Sequence, residues 1–312
     1  MAFHPLQQVI LTIVIAMLVY SVSLDLRMVD FRYVARRPIA VAMGLLAQFI
    51  LLPGATWGLT MLLDLPPAVE AAMILVACCP GGALSNVMTA LGRGNLALSL
   101  SISAVSSLIA LAVTPLAFTL LVAANPETAA WSRSIQVDPV NLLVSLLLLL
   151  AIPMSAAMLT SYRTPQFAAR IRMPLRRLAG IALGIFIVVS IAAQFRLFMI
   201  EVTRTLPIVV LHNALGLVSG YLAAAAAALP TADRRAVVIE GGMQNSGLAL
   251  GIIAAQFGSD LAMVAVAGLW GVWHIISGGA LVLLWRAGDN EEKADARSGI
   301  PGQPTARTET LS

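Results

Sequence analysis

EGGMQNSG, residues 240 to 247, sets a carboxylate, a pair of glycines, two amides and a hydroxyl close together in an otherwise apolar run. VVI (237–239) leads into it and LALGIIAA (248–255) follows. An acidic side chain inside a membrane helix costs about 2.5–3.5 kcal/mol on insertion scales. Paired glycines make helix continuation unfavourable. The stretch therefore predicts a membrane helix that unwinds and restarts around a cluster of polar groups.

CCPGGALSNVMTAL, residues 78 to 91, carries the same device. Pro80 removes a backbone donor, Gly81-Gly82 weaken the helix, and Ser85 and Asn86 supply polar side chains at the restart. GGALSN stands against GGMQNS. Irregular backbone at membrane depth is tolerated only where it is buried in protein or lines a cavity. A matched pair of glycine-interrupted spans in the two halves of a chain points to the binding site of a secondary transporter.

The rest of the chain fits that frame. Of 312 residues, 59% are hydrophobic and 11% charged, against about a quarter charged in soluble domains. Nine apolar segments are long enough to span: roughly 7–24, 38–62, 68–91, 95–123, 140–160, 178–198, 205–229, 236–257 and 261–285. With the N-terminus outside, nine spans put sixteen of the nineteen Lys and Arg residues on the cytoplasmic side. Only Arg133, Arg196 and Arg204 fall outside, the asymmetry that the positive-inside rule demands. The net charge of +4 is thus a topology signal, and no basic and aromatic surface for nucleic acid is present. Residues 287–312 are polar and aperiodic and predict a disordered cytoplasmic tail. Cys78 and Cys79 read as small buried hydrophobes.

Fourteen of the fifteen acidic residues fall in loops, at span ends or in the tail, which leaves Glu240 inside a span. Carboxylate, amide and hydroxyl oxygens suit a hard alkali cation, and no His/Cys cluster offers a transition-metal site. Glu240 and Gln244 are four apart and would share a helix face if the helix persisted through the break; Ser99 and Ser103, also four apart, would share one. For the serines two readings stand: ligands, or hydroxyls bonded back to the preceding turn. His274 is either a contact to a transported molecule or a packing residue beside Trp273. His212 reads as a hydrogen-bonded helix residue.

CCPGGALSNVMTALGRGNLALS, IEGGMQNSGLALGIIAAQF, AQF at 47–49 and GVWHIISG at 271–278 closely resemble the bile acid:sodium symporter family, from about residue 9 to 286. The resemblance implies an all-α polytopic fold with an inverted repeat. Its core would be approximately 38–123 and 205–286, its panel 7–24 and 140–198, all within a membrane domain of residues 1–286. It implies no cofactor, sodium as coupling ion, a small organic anion as substrate, and a monomer or weak dimer in the bacterial plasma membrane, N-terminus outside. By position, a first sodium site would use Ser85, Asn86, Ser99, Ser103 and Glu240. A second would use Gln48, Glu240, Gly241, Met243 and Gln244. Asn245, His274, Gly82 and Ala83 would face the substrate. Ala83 and Ile275 replace a threonine and an asparagine of bile-acid-binding bacterial relatives, which makes pantoate or pyruvate as fitting as a bile acid. Two other functions stand beside this one: a proton-coupled or efflux member of the superfamily, and an intramembrane hydrolase built on Ser85 and His274.

Overall fold

A computed structural model describes residues 5–24, 36–135, 139–193, 195–258 and 260–298. Among them every regular element is a helix, in the order α1 (Pro5–Ser23), α2 (Pro38–Leu62), α3 (Pro67–Cys78), α4 (Ala83–Leu91), α5 (Leu96–Ala124) and α6 (Pro126–Ser134). There follow α7 (Pro139–Arg163), α8 (Pro165–Ala193), α9 (Phe195–Ala226), α10 (Thr231–Gly242), α11 (Ser246–Gln256) and α12 (Leu261–Ser298). Five of these are long and apolar enough to cross a membrane: α2, α5, α7 from Val140, α9, and α12 as far as Asn290. The chain is an all-helical integral membrane protein.

The two predicted interruptions are real. The third segment breaks into α3 and α4, and the eighth into α10 and α11. The breaks meet back to back. Gly81 and Gln244 form an isolated antiparallel bridge, with the Gly82 N–H donating to the Met243 carbonyl (3.1 Å) and the Asn245 N–H to that of Pro80 (2.8 Å). Extended chain exposes groups that a helix would have satisfied, and each break satisfies the other.

Close backbone approach holds α9 on α10. A Cβ at Gly216 would lie 2.7 Å from the Gly241 carbonyl oxygen, and one at Gly220 would lie 2.6 Å from that of Val237. This is the small-xxx-small contact of membrane helices. On the other side of the molecule α1, α7 and α8 pack on one another, and α1 also packs on α11. The main apolar core runs along α3 and gathers Met73, Leu75, Phe118, Ile253, Met263 and Trp270.

Three boundaries differ from the sequence reading. Helix α12 continues to Ser298, so residues 287–298 are helix and not disordered tail; 299–312 lie outside the described residues. GDNEEKADAR is rich in helix formers. Asp289 also anchors the extension: it accepts both guanidinium nitrogens of Arg235 (2.9 and 2.5 Å) and one of Arg93 (3.1 Å). The segment expected at 178–198 begins as helix at Pro165 and ends at Ala193, and 195–198 belong to α9. Its arginine-rich start is helical, not loop. Finally α6, too polar to read as a span, is capped by Asn125, which accepts the N–H groups of Glu127 and Thr128.

Candidate functional site

Glu240 lies in the last turn of α10, fully buried, two residues before the break. Three hydroxyls point at its Oε1: Ser85 at 2.7 Å from α4, and Ser99 at 2.5 Å and Ser103 at 3.1 Å from α5. Ser103 also reaches Oε2 at 3.3 Å. The Gln48 amide nitrogen completes the ring, donating to Oε2 (3.2 Å) and to the Glu240 carbonyl (3.0 Å). Asn86 stands behind the serines, its Oδ1 accepting from Ser99 (2.9 Å) and Ser103 (3.5 Å). Among the described residues no Lys, Arg or His side chain is bonded to this carboxyl group.

Ser99 and Ser103 therefore share a face, and their hydroxyls turn to Glu240 and Asn86. Ser101, two residues on, shows the alternative, donating back to the Ala97 carbonyl at 2.8 Å. Gln48 owes its aim to a single turn of π-helix, Ala47–Leu51, inside α2. The extra residue in that turn rotates the side chain inward, as π-turns at functional sites commonly do. Its Oε1 is buried without a partner. Gly81 closes the site from the other break: a Cβ there would stand 2.6 Å from Glu240 Oε2 and 2.7 Å from Gln48 Nε2.

Glu240 and Gln244 do not share a helix face, because α10 ends at Gly242. Gln244 reaches across to the opposite break. With its nitrogen turned that way it donates to the carbonyls of Cys79 (2.7 Å) and Pro80 (3.2 Å). Turned back, the nitrogen has the Gly241 carbonyl at 3.4 Å. The Met243 carbonyl is taken by the backbone bridge, and that of Gly242 accepts from Asn213 of α9 at 2.7 Å. Asn213 is in turn held by Ser277 of α12 (2.6 Å). The sequence reading missed Asn213, although it is the only amide in its apolar segment.

A cleft of about 460 Å³, counting its open mouth, lies beside the crossing. Its walls come from α1 (Leu18, Val22), α5 (Leu111) and α7 (Met154), and Pro80 and Asn245 border it from the two breaks. Ser23 and Ser107 add hydroxyls that sequence reasoning did not single out. Asn245 caps α11 with its side-chain oxygen (Leu248 N–H, 3.0 Å), a bond in which its amide nitrogen takes no part. Gly82 and His274 do not line this cleft. The Gly82 backbone is spent on the bridge and on Ser85. Ala83 opens α4, and its side chain is not among the described ones. His274 is buried on α12, one turn from Gly271, which packs on Ser246. His212 is hydrogen-bonded as expected, to Thr56 at 2.8 Å, and tilts against the Trp270 ring.

A second buried carboxyl group, Glu70 in the first turn of α3, accepts from the Asn125 amide at 2.9 Å. It ties α3 to the α5–α6 corner and takes no part in the crossing.

Likeness to known proteins accompanies this geometry. The model of the Sodium Bile acid symporter family matches residues 12–200. The chain is 33% identical over 291 residues to an uncharacterized sodium-dependent transporter of Bacillus subtilis, covering 92% of this chain and 86% of that one. It is 32% identical over 275 residues to a probable chloroplastic sodium/metabolite cotransporter of Arabidopsis thaliana, covering 85% of this chain but only 64% of the plant protein. It is 29% identical over 250 residues to the human ileal sodium/bile acid cotransporter, covering 80% and 70% respectively.

Proposed function

We propose, for a chain that belongs to the sodium bile acid symporter family, that it imports a small organic anion together with sodium ions by alternating access. The family is one of sodium-coupled transporters, not enzymes, and the chain is a sodium-dependent transporter of the bile acid and metabolite type. The finer reading concerns where the ions sit, what accompanies them and what moves.

One observation carries it: a buried carboxyl group ringed by three hydroxyls and an amide from three other helices, with a buried orphan acceptor, Gln48 Oε1, at its edge. An unpaired buried amide oxygen costs about 1–3 kcal/mol. A hard cation relieves that cost and neutralises the carboxylate at once. Ser85, Asn86, Ser99, Ser103 and Glu240 form the first sodium site. Gln48, Glu240, Gly241, Met243 and Gln244 form the second.

The substrate lies in the cleft beside Asn245. The cleft is mostly apolar, its polar side chains are neutral, and the start of α11 supplies partial positive charge. A bile-acid-like molecule or a small acid such as pantoate or pyruvate fits this chemistry. The two breaks belong to an inverted repeat of nine spans, with the N-terminus outside and the C-terminus in the cytoplasm of a bacterial plasma membrane. Helices α1, α7 and α8 form a panel against which the remaining core moves.

Uptake into proteoliposomes tests this reading. An inward sodium gradient drives accumulation of the anion, and potassium or choline in its place does not. Equal uptake with all three cations, or uptake driven by a proton gradient alone, overturns it.

A further inference from the structure

Five arginines stand within fifteen residues at one end of α7 and α8: Arg163, Arg170, Arg172, Arg176 and Arg177. From residue 139 to 200 the chain has no Asp or Glu. A topology signal requires only this net charge on one side of the membrane. It does not require the arginines to be sorted by face, and here they are. Arg176 turns toward the protein and donates to the Ser21 carbonyl of α1 at 3.3 Å. Arg170 and Arg177 lie on the outer face of α8, and Arg163 is exposed at the end of α7. No hydrogen bond or ion pair joins these three to another described residue.

The outer face continues into apolar surface. Arg170 and Arg177 are seven residues apart, which leaves them nearly in line along the helix. The same line runs on through the exposed Ile181, Ile185 and Val188. Phe167, also exposed, precedes it, and Tyr162 stands exposed beside Arg163. In a membrane protein such an apolar stripe is solvated by acyl chains. Arg177 is only about 6 Å above Ile181 along the axis, and the polar layer of a bilayer is roughly 5–7 Å deep on each side. Arg177 therefore sits at headgroup depth, and Arg170, about 10 Å farther along the axis, continues the same face on the water side of it.

We propose that this face of α8, with Arg163, is a binding surface for the phosphate of anionic phospholipid headgroups. The guanidinium fork matches phosphate geometry with two parallel hydrogen bonds. Clusters of four to eight basic residues beside a membrane helix attract anionic lipid. The acyl chains of the same lipid lie along Ile181, Ile185 and Val188. Because α8 packs on α1 and α7, bound lipid fastens that group of helices to one leaflet.

Titration of the purified full chain in detergent tests this, without sodium or substrate, so that the outcome is independent of ion coupling. The readouts are the thermal unfolding midpoint and the number of lipids retained in native mass spectrometry. Phosphatidylglycerol stabilises the wild type and a charge-matched control, R133Q/R204Q, and is retained by both. For R170Q/R177Q the apparent affinity falls roughly tenfold or more, and phosphatidylcholine stabilises none of them. Both substituted arginines are exposed, so the variant folds. An unchanged phosphatidylglycerol response in R170Q/R177Q overturns the proposal. So does an equal response to phosphatidylcholine, or full stabilisation by inorganic phosphate alone.

Discussion

Ser99 donates its hydroxyl to Oε1 of Glu240 across 141 residues of chain, from the first turn of α5 to the last turn of α10. The contact joins the two halves of the molecule at their most polar point. Replacing Glu240 by glutamine keeps the size of the side chain and removes its charge. The expected outcome is a folded protein whose thermal midpoint no longer rises with sodium and whose uptake no longer follows a sodium gradient. Sodium-driven uptake at the wild-type rate by E240Q would reject both ion sites.

Gly81 has no room for a side chain. In G81A the new methyl group would meet Glu240 Oε2 and Gln48 Nε2 at 2.6 and 2.7 Å. Forcing both polar groups aside costs about 1–3 kcal/mol, the usual range for overpacking. A lower midpoint together with weakened sodium stabilisation, measured by differential scanning fluorimetry, is the expected result. A lower midpoint with sodium response intact would mean that Gly81 serves packing alone.

Asn213 satisfies the Gly242 carbonyl that the end of α10 leaves open. N213A should destabilise the protein by about 1–3 kcal/mol, the cost of stranding a buried polar group. S277A, which removes only the support behind Asn213, should cost less. Denaturation of the two variants side by side checks the order.

Asp289 should decide whether the end of α12 stays helical. In D289A the guanidinium groups of Arg235 and Arg93 lose their shared acceptor. Backbone amides of 287–298 should then exchange with deuterium faster, while those of α10 change little. High salt should speed the wild-type exchange in the same direction, since partly exposed ion pairs are screened.

Much of this architecture could be read from the chain alone, because glycine pairs and a stranded carboxylate leave marks that composition cannot hide. The π-turn at Ala47–Leu51 left a fainter one. AQFIL itself contains no glycine or proline, but Pro53 just beyond it withholds the N–H that the Phe49 carbonyl would accept in an α-helix. The start of α8 was misread for the opposite reason: its arginines suggested a loop, although arginine is a good helix former and only its hydropathy is wrong for a span. Gln244 leaves the face of Glu240 because a four-residue spacing has meaning only while the helix lasts, and α10 stops at Gly242. The capping role of the Asn245 oxygen was not read, although Asn directly before a helical run is a common cap.

The ring around Glu240 also fixes an order of events during synthesis. Gln48, Ser85, Ser99 and Ser103 leave the ribosome long before residue 240 is made. Until then three hydroxyls and an amide have no carboxylate to serve, and serine hydroxyls in that position fall back on the carbonyls of their own helices. Glu240, the group least suited to lipid, is the last to arrive and enters a membrane where its donors are already waiting. A chain with the halves in reverse order would have to insert the carboxylate first and hold it unpartnered for some hundred and fifty residues.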